Sequence, residues 1–220
     1  MLIDHCDFPE EVLYDLDNNV WVRHIAAGVV RLGITSVHAA MAGKLNNVKF
    51  KPIGAKIERG QSVATIESTK YFGVVRAPFS GKLVAVNSGL EIEPKQANVA
   101  PYGEGWFVEI APTDEIGLTS LVAPKIAVDR IKAQIRDLRV RCFAAYPDRE
   151  MWEIGVECAA VLVRLNELLE HCEVNEVIHV VSDDPTAEIE MERWADESGQ
   201  EVLESRKEEN LEHFIVKKVR

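Results

Sequence analysis

Apolar and polar positions change rhythm twice along this chain. Up to about residue 110 the apolar runs are short and alternating: Val20-Trp21-Val22, Val29–Ile34, Val48 with Phe50, Val63–Ile66, Val74-Val75, Leu83 to Val86, and Trp106–Ile110. Gly28, Pro52, Gly54, Gly60, Pro78, Gly81 and Asn87-Ser88-Gly89 separate them, which predicts strands joined by tight turns, the first hairpin turning at Ala27-Gly28. Thr35 stands as an N-cap ahead of a short helix over Ser36–Met41 that stops at Gly43. Asp114 is placed to cap another around Ile116–Leu121, and Pro124 closes the segment. Residues 1–18 show no clear period beyond Val12, Leu13 and Leu16.

The spacing then becomes helical. Ile126, Ile131, Ile135 and Leu138 predict an amphipathic connecting helix, and residues 140–149 read as a linker. From residue 151 strand and helix patterns alternate. Trp152–Glu157 reads as a strand, and Cys158–Glu170 as a helix with Val161, Leu162, Leu165, Leu168 and Leu169 on one side. Glu176–Ser182 is a second strand. A second helix starts at Asp184-Pro185 and ends at Gly199, and a hairpin over Val202–Arg206 and His213–Val219 follows. The order is βαβαββ, a two-layer sandwich with both helices on one face. The expected fold class is therefore α+β in three parts: residues 1–125, a helix and linker over residues 126–150, and residues 151–220.

Charge sharpens that boundary. The net charge is −11, of which residues 1–125 carry −2 and residues 126–220 carry −9. A surface this acidic argues against nucleic acid as a partner. The start of the chain has no signal-peptide pattern and no apolar run approaches the ~20 residues of a membrane span, so a soluble, cytoplasmic protein is expected. No two of Cys6, Cys142, Cys158 and Cys172 are spaced as Cys-x-x-Cys, which leaves metal sites without support. In a cytoplasm all four are expected as reduced thiols, with Cys142 incidental and Cys172 packing. The six histidines are scattered, with no spacing that marks ligands or a triad.

Within the first part, Gly-Lys-Leu occurs at residues 43–45 and again at 81–83, on either side of Glu67-Ser68-Thr69-Lys70-Tyr71-Phe72. Such self-similarity predicts two related sheets meeting at a hairpin whose tip displays Lys70. Taken alone, an exposed lysine is most often just solvated surface.

The neighbourhood changes that balance. Trp21-Val22-Arg23, Leu32-Gly33-Ile34-Thr35, Gly60 before Val63–Ile66, Glu67-Ser68-Thr69-Lys70, Ala77–Gly81 and Pro101–Trp106 stand in the order and spacing of the glycine cleavage system H protein, which residues 19 to about 122 resemble. The resemblance implies a barrel-sandwich hybrid, with lipoate in amide linkage on Lys70 as a swinging arm. It also implies that Glu67 is read by a lipoate-attaching enzyme and that redox or aminomethyl-transfer enzymes visit the arm. Such a carrier turns nothing over by itself.

Residues 151–220, with Cys158 at a strand-to-helix junction and Asp183-Asp184-Pro185 after the second strand, resemble the TusA family of sulfur carriers. That family holds sulfur as a persulfide on the cysteine of Cys-Pro-x-Pro. Cys158 has the matching place, but the sequence there is Cys158-Ala159-Ala160-Val161. A helix N-terminus favours the thiolate, so the resemblance makes Cys158 the candidate persulfide carrier, served by sulfur donor proteins. The expected function is a lipoyl carrier linked to sulfur transfer or oxidation. The alternatives are an aminomethyl carrier with residues 151–220 as a docking module, and a sulfurtransferase acting through Cys158.

Overall fold

A computed structural model describes residues 1–26, 28–113 and 118–220. Ala27 and residues 114–117, which include the expected cap Asp114 and the start of the helix expected around Ile116–Leu121, lie outside the described residues. The chain divides into two compact units, Met1–Cys142 and Phe143–Arg220.

In the first unit the alternating runs form two antiparallel sheets. One has six strands, in the order Leu13–Asp15, Val20–Ala26, Val29–Ile34, Val108–Pro112, Gly81–Val86 and Lys56–Ile57. The other has three: Leu45–Phe50, Ser62–Ser68 and Phe72–Arg76. Leu32, Ile34, Val63, Ile66, Val75, Phe79, Leu83, Phe107 and Ile110 fill the space they enclose. This is the barrel-sandwich architecture, and the two-residue periodicity builds it by turning every second side chain inward.

A second core lies outside the barrel. Ile3, Cys6, Phe8, Tyr14 and Trp21 pack with Val37, Ile131 and Ile135. The helix Val128–Asp137 presents Ile131 and Ile135, one turn apart, to this core, and Gln134 Nε2 donates to the Leu16 carbonyl at 2.7 Å. The helix is therefore built into the first unit, as its two buried isoleucines require.

The cysteines differ from expectation. Cys6 and Cys142 form a disulfide across 136 residues of sequence, and only Cys158 and Cys172 are free thiols. Neither Cys6 nor Cys142 reads as half of a pair locally. They meet because the N-terminal hairpin, Leu2–Ile3 with Cys6–Asp7, packs beside the end of the helix Val128–Asp137.

The second unit has a four-stranded sheet in the order Arg149–Glu153, Val177–Ser182, Leu211–Lys217, Glu201–Glu208, with the first pair parallel and the others antiparallel. Helices Cys158–Glu170 and Ala187–Ser198 bury Val161, Leu165, Leu169, Met191 and Trp194 with Met151, Ile178, Val180, Phe214 and Val216. The first strand sits earlier than its apolar pattern implies, because Gly155 at φ 71° turns the chain toward the helix. The second helix begins at Ala187, two residues beyond Pro185; at its approach Asp184 Oδ1 accepts the Thr186 N–H at 2.8 Å while Oδ2 accepts the Cys158 N–H. Gly199, left-handed at φ 70°, ends it. No helix among the described residues is long and apolar enough to cross a membrane.

Candidate functional site

Glu67 and Phe72 are paired across the strands of the hairpin, and the Ser68 N–H donates to the Tyr71 carbonyl at 2.8 Å. Thr69 and Lys70 are thus the two residues at its apex. Both are exposed. The Ser68 hydroxyl donates to the Ala42 carbonyl at 2.7 Å and accepts the Lys70 N–H at 3.2 Å, fastening the turn to the end of helix Ser36–Ala42.

That helix is held at both ends. Thr35 caps it, with Oγ1 accepting from the His38 N–H at 3.2 Å. At its other end Asn98, buried, donates through Nδ2 to the carbonyls of Ala39 and Gly43 at 3.1 and 2.9 Å and accepts from the Leu45 N–H at 2.9 Å. Gly43 has φ 74° and ψ −176°, a region that side-chain-bearing residues avoid. Its bare Cα is also the seat of the lysine, for a Cβ built there would lie 2.6 Å from Lys70 Cε. Gly73 does the same for Tyr71, whose ring would stand 2.4 Å from a Cβ at that position.

Under the tip, Tyr71 Oη and His38 Nε2 are 3.4 Å apart. Burial pushes His38 down to about 4, so its imidazole is neutral at ordinary pH; the Asn19 carbonyl pulls weakly the other way. Burial also raises the Tyr71 phenol. Phe72, by contrast, is 73% exposed, an aromatic ring directed at solvent two residues from the lysine. Glu67 accepts from Asn47 Nδ2 at 3.2 Å and remains exposed.

These features fit a covalently attached arm on Lys70. The amine stands at an exposed apex, and the stem passes over the bare Cα of Gly43. Tyr71, His38, Asn98 and Gly43, which support the lysine from below, are not marked by any local motif. Their signal lies in the two glycines, each next to a side chain that needs the missing Cβ.

In the second unit Cys158 is the first residue of its helix and 3% exposed. Its N–H donates to Asp184 Oδ2 at 2.8 Å, and the Gly155 N–H donates to Asp183 Oδ1 at 2.8 Å. Hydrogen bonds from the Thr186 side chain, the Thr186 backbone and the Cys158 backbone hold Asp184 below the usual carboxylate range. The thiol goes the other way. Burial first, then the charges of Asp184 and Glu190, push Cys158 up to about 11. The helix N-terminus that could favour a thiolate is already occupied by a carboxylate of the same chain. Cys172 is buried, with its Sγ donating to the Leu168 carbonyl at 3.2 Å.

Two of the scattered histidines do meet. His179 Nε2 and His213 Nδ1 are 2.9 Å apart, their rings stacked beneath Phe143. They come from neighbouring strands, in register as His179 with Ile215 and Val181 with His213, a diagonal pairing that sequence spacing does not reveal. Among the described residues no cluster of three or more His, Cys, Asp or Glu could hold a metal ion.

A barrel-sandwich domain with a lysine at the apex of a hairpin, followed by a separate βαβαββ sandwich, defines a lipoyl-type carrier fold joined to a sulfur-carrier fold. Residues 12–134 match the family model described as glycine cleavage H-protein, and residues 154–218 match that of sulfurtransferase TusA. The chain belongs to the glycine cleavage H-protein family and carries a TusA-like domain behind it. Proteins of that family carry a covalently bound lipoate.

Among curated relatives, a Sulfurisphaera tokodaii protein named probable glycine cleavage system H protein 2 is 38% identical over 142 residues, 64% of this chain and 96% of its own. Glycine cleavage system H protein 3 of Aquifex aeolicus is 38% identical over 141 residues, 62% of this chain and 88% of its own. A crystal structure of an H protein from Mycobacterium marinum superposes with a TM-score of 0.51 at 29% identity, covering 56% of this chain and 98% of that one.

Proposed function

We propose that the protein is a lipoylated carrier, with lipoate in amide linkage on Lys70 and Glu67 read by the attaching enzyme. The observation that carries this is the tip itself: an exposed lysine at the apex of Glu67-Ser68-Thr69-Lys70, its turn fastened by Ser68 and its stem seated on Gly43. When bound, lipoate supplies a dithiol that can be oxidised to a ring or hold a transferred group on sulfur. The protein's own part is to fix the root of the arm and to present the exposed Phe72 beside it to visiting enzymes.

The TusA-like domain supports a reading in which those visits belong to sulfur transfer or oxidation. Cys158 enters that chemistry as a persulfide carrier only in a state where its burial is relieved and Asp184 has moved away. With the thiol held protonated as it stands, the second unit acts by docking sulfur donor proteins. The names of the curated relatives favour a second reading, in which the arm carries an aminomethyl group.

Incubation with a lipoate-attaching enzyme, followed by intact-mass measurement, tests the assignment. A single lipoyl increment on wild type, absent from Lys70→Ala, is expected. An unmodified wild type or a modified variant refutes it. Exchange of carbon dioxide with glycine, given glycine decarboxylase and lipoylated protein, would mark the aminomethyl reading.

A further inference from the structure

We propose that Cys6–Cys142 is a reversible dithiol–disulfide centre, reduced by dithiols through exchange at Cys142, and that its state sets how firmly the Lys70 hairpin is held. The proposal does not depend on what Lys70 carries.

The two sulfurs are unequal. Cys6 is fully buried and Cys142 is partly exposed, so attack from solvent is directed at Cys142 Sγ. A dithiol thiolate forms a bond to that sulfur while the Cys6–Cys142 bond breaks, and Cys6 leaves as a thiolate and takes a proton. The reagent's second thiol, as thiolate, then displaces Cys142, closing the reagent's own disulfide and leaving two protein thiols. Two electrons pass from the reagent to the cysteine pair. Cys158 and Cys172 do not compete, since burial raises both thiols.

Reduction acts first on the hairpin that carries Cys6, whose remaining ties are the buried side chains of Ile3 and Phe8 and the bonds to the Asp7 carbonyl. Leu2–Ile3 and Cys6–Asp7 are two residues each, and the turn between them places Asp4 and His5 at φ 45° and 66°, left-handed without glycine. A hairpin this short is marginal by itself, and each such residue adds strain. Cys6 follows the turn directly, so the bridge clamps the strained segment. At the other end, Cys142 lies in irregular chain beyond Arg139, itself at φ 52°. Gln134 to Leu16 and Arg130 to Asp17 keep the neighbouring helix attached whatever the state of the sulfurs.

From the hairpin a continuous set of bonds leads to the lysine. The carbonyl of Asp7, next to Cys6, accepts from Ser36 Oγ and from Tyr102 Oη, both at 2.8 Å, and Tyr102 Oη accepts the Ser36 N–H at 3.1 Å. These bonds anchor the first turn of helix Ser36–Ala42. Its far end, ~10 Å away for seven residues, holds Ser68 through the Ala42 carbonyl and seats Lys70 on Gly43. With the disulfide open, the Asp7 carbonyl loses one of its ties, and the first turn of the helix relies more on the Thr35 cap and the Tyr102 bond to the Ser36 N–H.

The test uses full-length protein and free dihydrolipoamide, with thiols trapped by alkylation and read on peptides, and hydrogen exchange compared between oxidised and reduced samples. We expect Cys6 and Cys142 to become alkylated together while Cys158 and Cys172 stay protected. We also expect amide exchange to rise at least tenfold in residues 2–7, in 36–42 and at the tip, 68–72. Cys142→Ser should reproduce the reduced pattern. Should that variant fold poorly, the dihydrolipoamide titration of wild type gives the same reading. A pair that resists dihydrolipoamide, or that is isolated as two thiols and does not close with oxidised lipoamide, overturns the redox centre. Exchange at the tip that ignores the redox state overturns the coupling.

Discussion

The thiol of Cys158 offers a direct measurement on the second unit. Its shift from an ordinary 9.0 to about 11 is roughly two units, or about 3 kcal/mol of preference for the protonated form. At pH 7 that leaves about one thiolate in ten thousand, against about one in a hundred for an unshifted thiol, and only the thiolate attacks. Alkylation of native protein with iodoacetamide, with no reductant present so that Cys6–Cys142 stays closed, should climb about tenfold per pH unit from pH 7 to 10 without levelling. Burial slows the reaction at every pH but does not move the midpoint, so the midpoint is the readout. In Asp184→Asn the carboxylate charge is gone while the larger cause, burial, persists. The variant should gain less than tenfold at pH 7, as for about one pKa unit or less. A wild-type rate that levels off near pH 7 to 8 would refute the argument and make Cys158 a ready nucleophile despite its lost prolines.

Two further outcomes follow from the support under Lys70. Because His38 is held near 4 against 6.5 when unfolded, its contribution is fully present above pH 6.5 and is lost as pH falls toward 4, about 3 kcal/mol in all. Urea unfolding of wild type should lose about 2 kcal/mol between pH 6.5 and 5, and His38→Leu should flatten that slope whatever it does to the baseline stability. Gly43→Ala forces a side chain into a glycine-only conformation and displaces the lysine stem. It should cost about 1–3 kcal/mol by the same unfolding measurement, and a neutral result would refute the strain at this position.

Most of the architecture was legible in the chain because it is written locally. Thr35 and Gly43 bound their helix, Cys158–Glu170 shows a continuous apolar side, and Gly199 stops the last helix, each through its own backbone chemistry. Lys70 was legible for the same reason: a tight turn between alternating strands announces its apex. What escaped was whatever depends on residues far apart in sequence. Cys6 and Cys142 have no local partner, Asn98 reaches back across 55 residues to Gly43, and His179 meets His213 only through strand register. Cys158 escaped differently. Its position at a helix start predicts an eased thiolate, but burial first, and then the carboxylate of Asp184 arriving after the next strand, reverse this.

The disulfide also decides how the molecule bears force. Tension applied from before Cys6 to beyond Cys142 crosses from one to the other through a covalent bond. The barrel and its lysine hang in a closed loop that carries none of the load. A machine that threads the chain from its C-terminus would unravel residues 143–220 and then meet a loop that no single strand can draw open. Once the two sulfurs are reduced, the same pull passes through the barrel strand by strand.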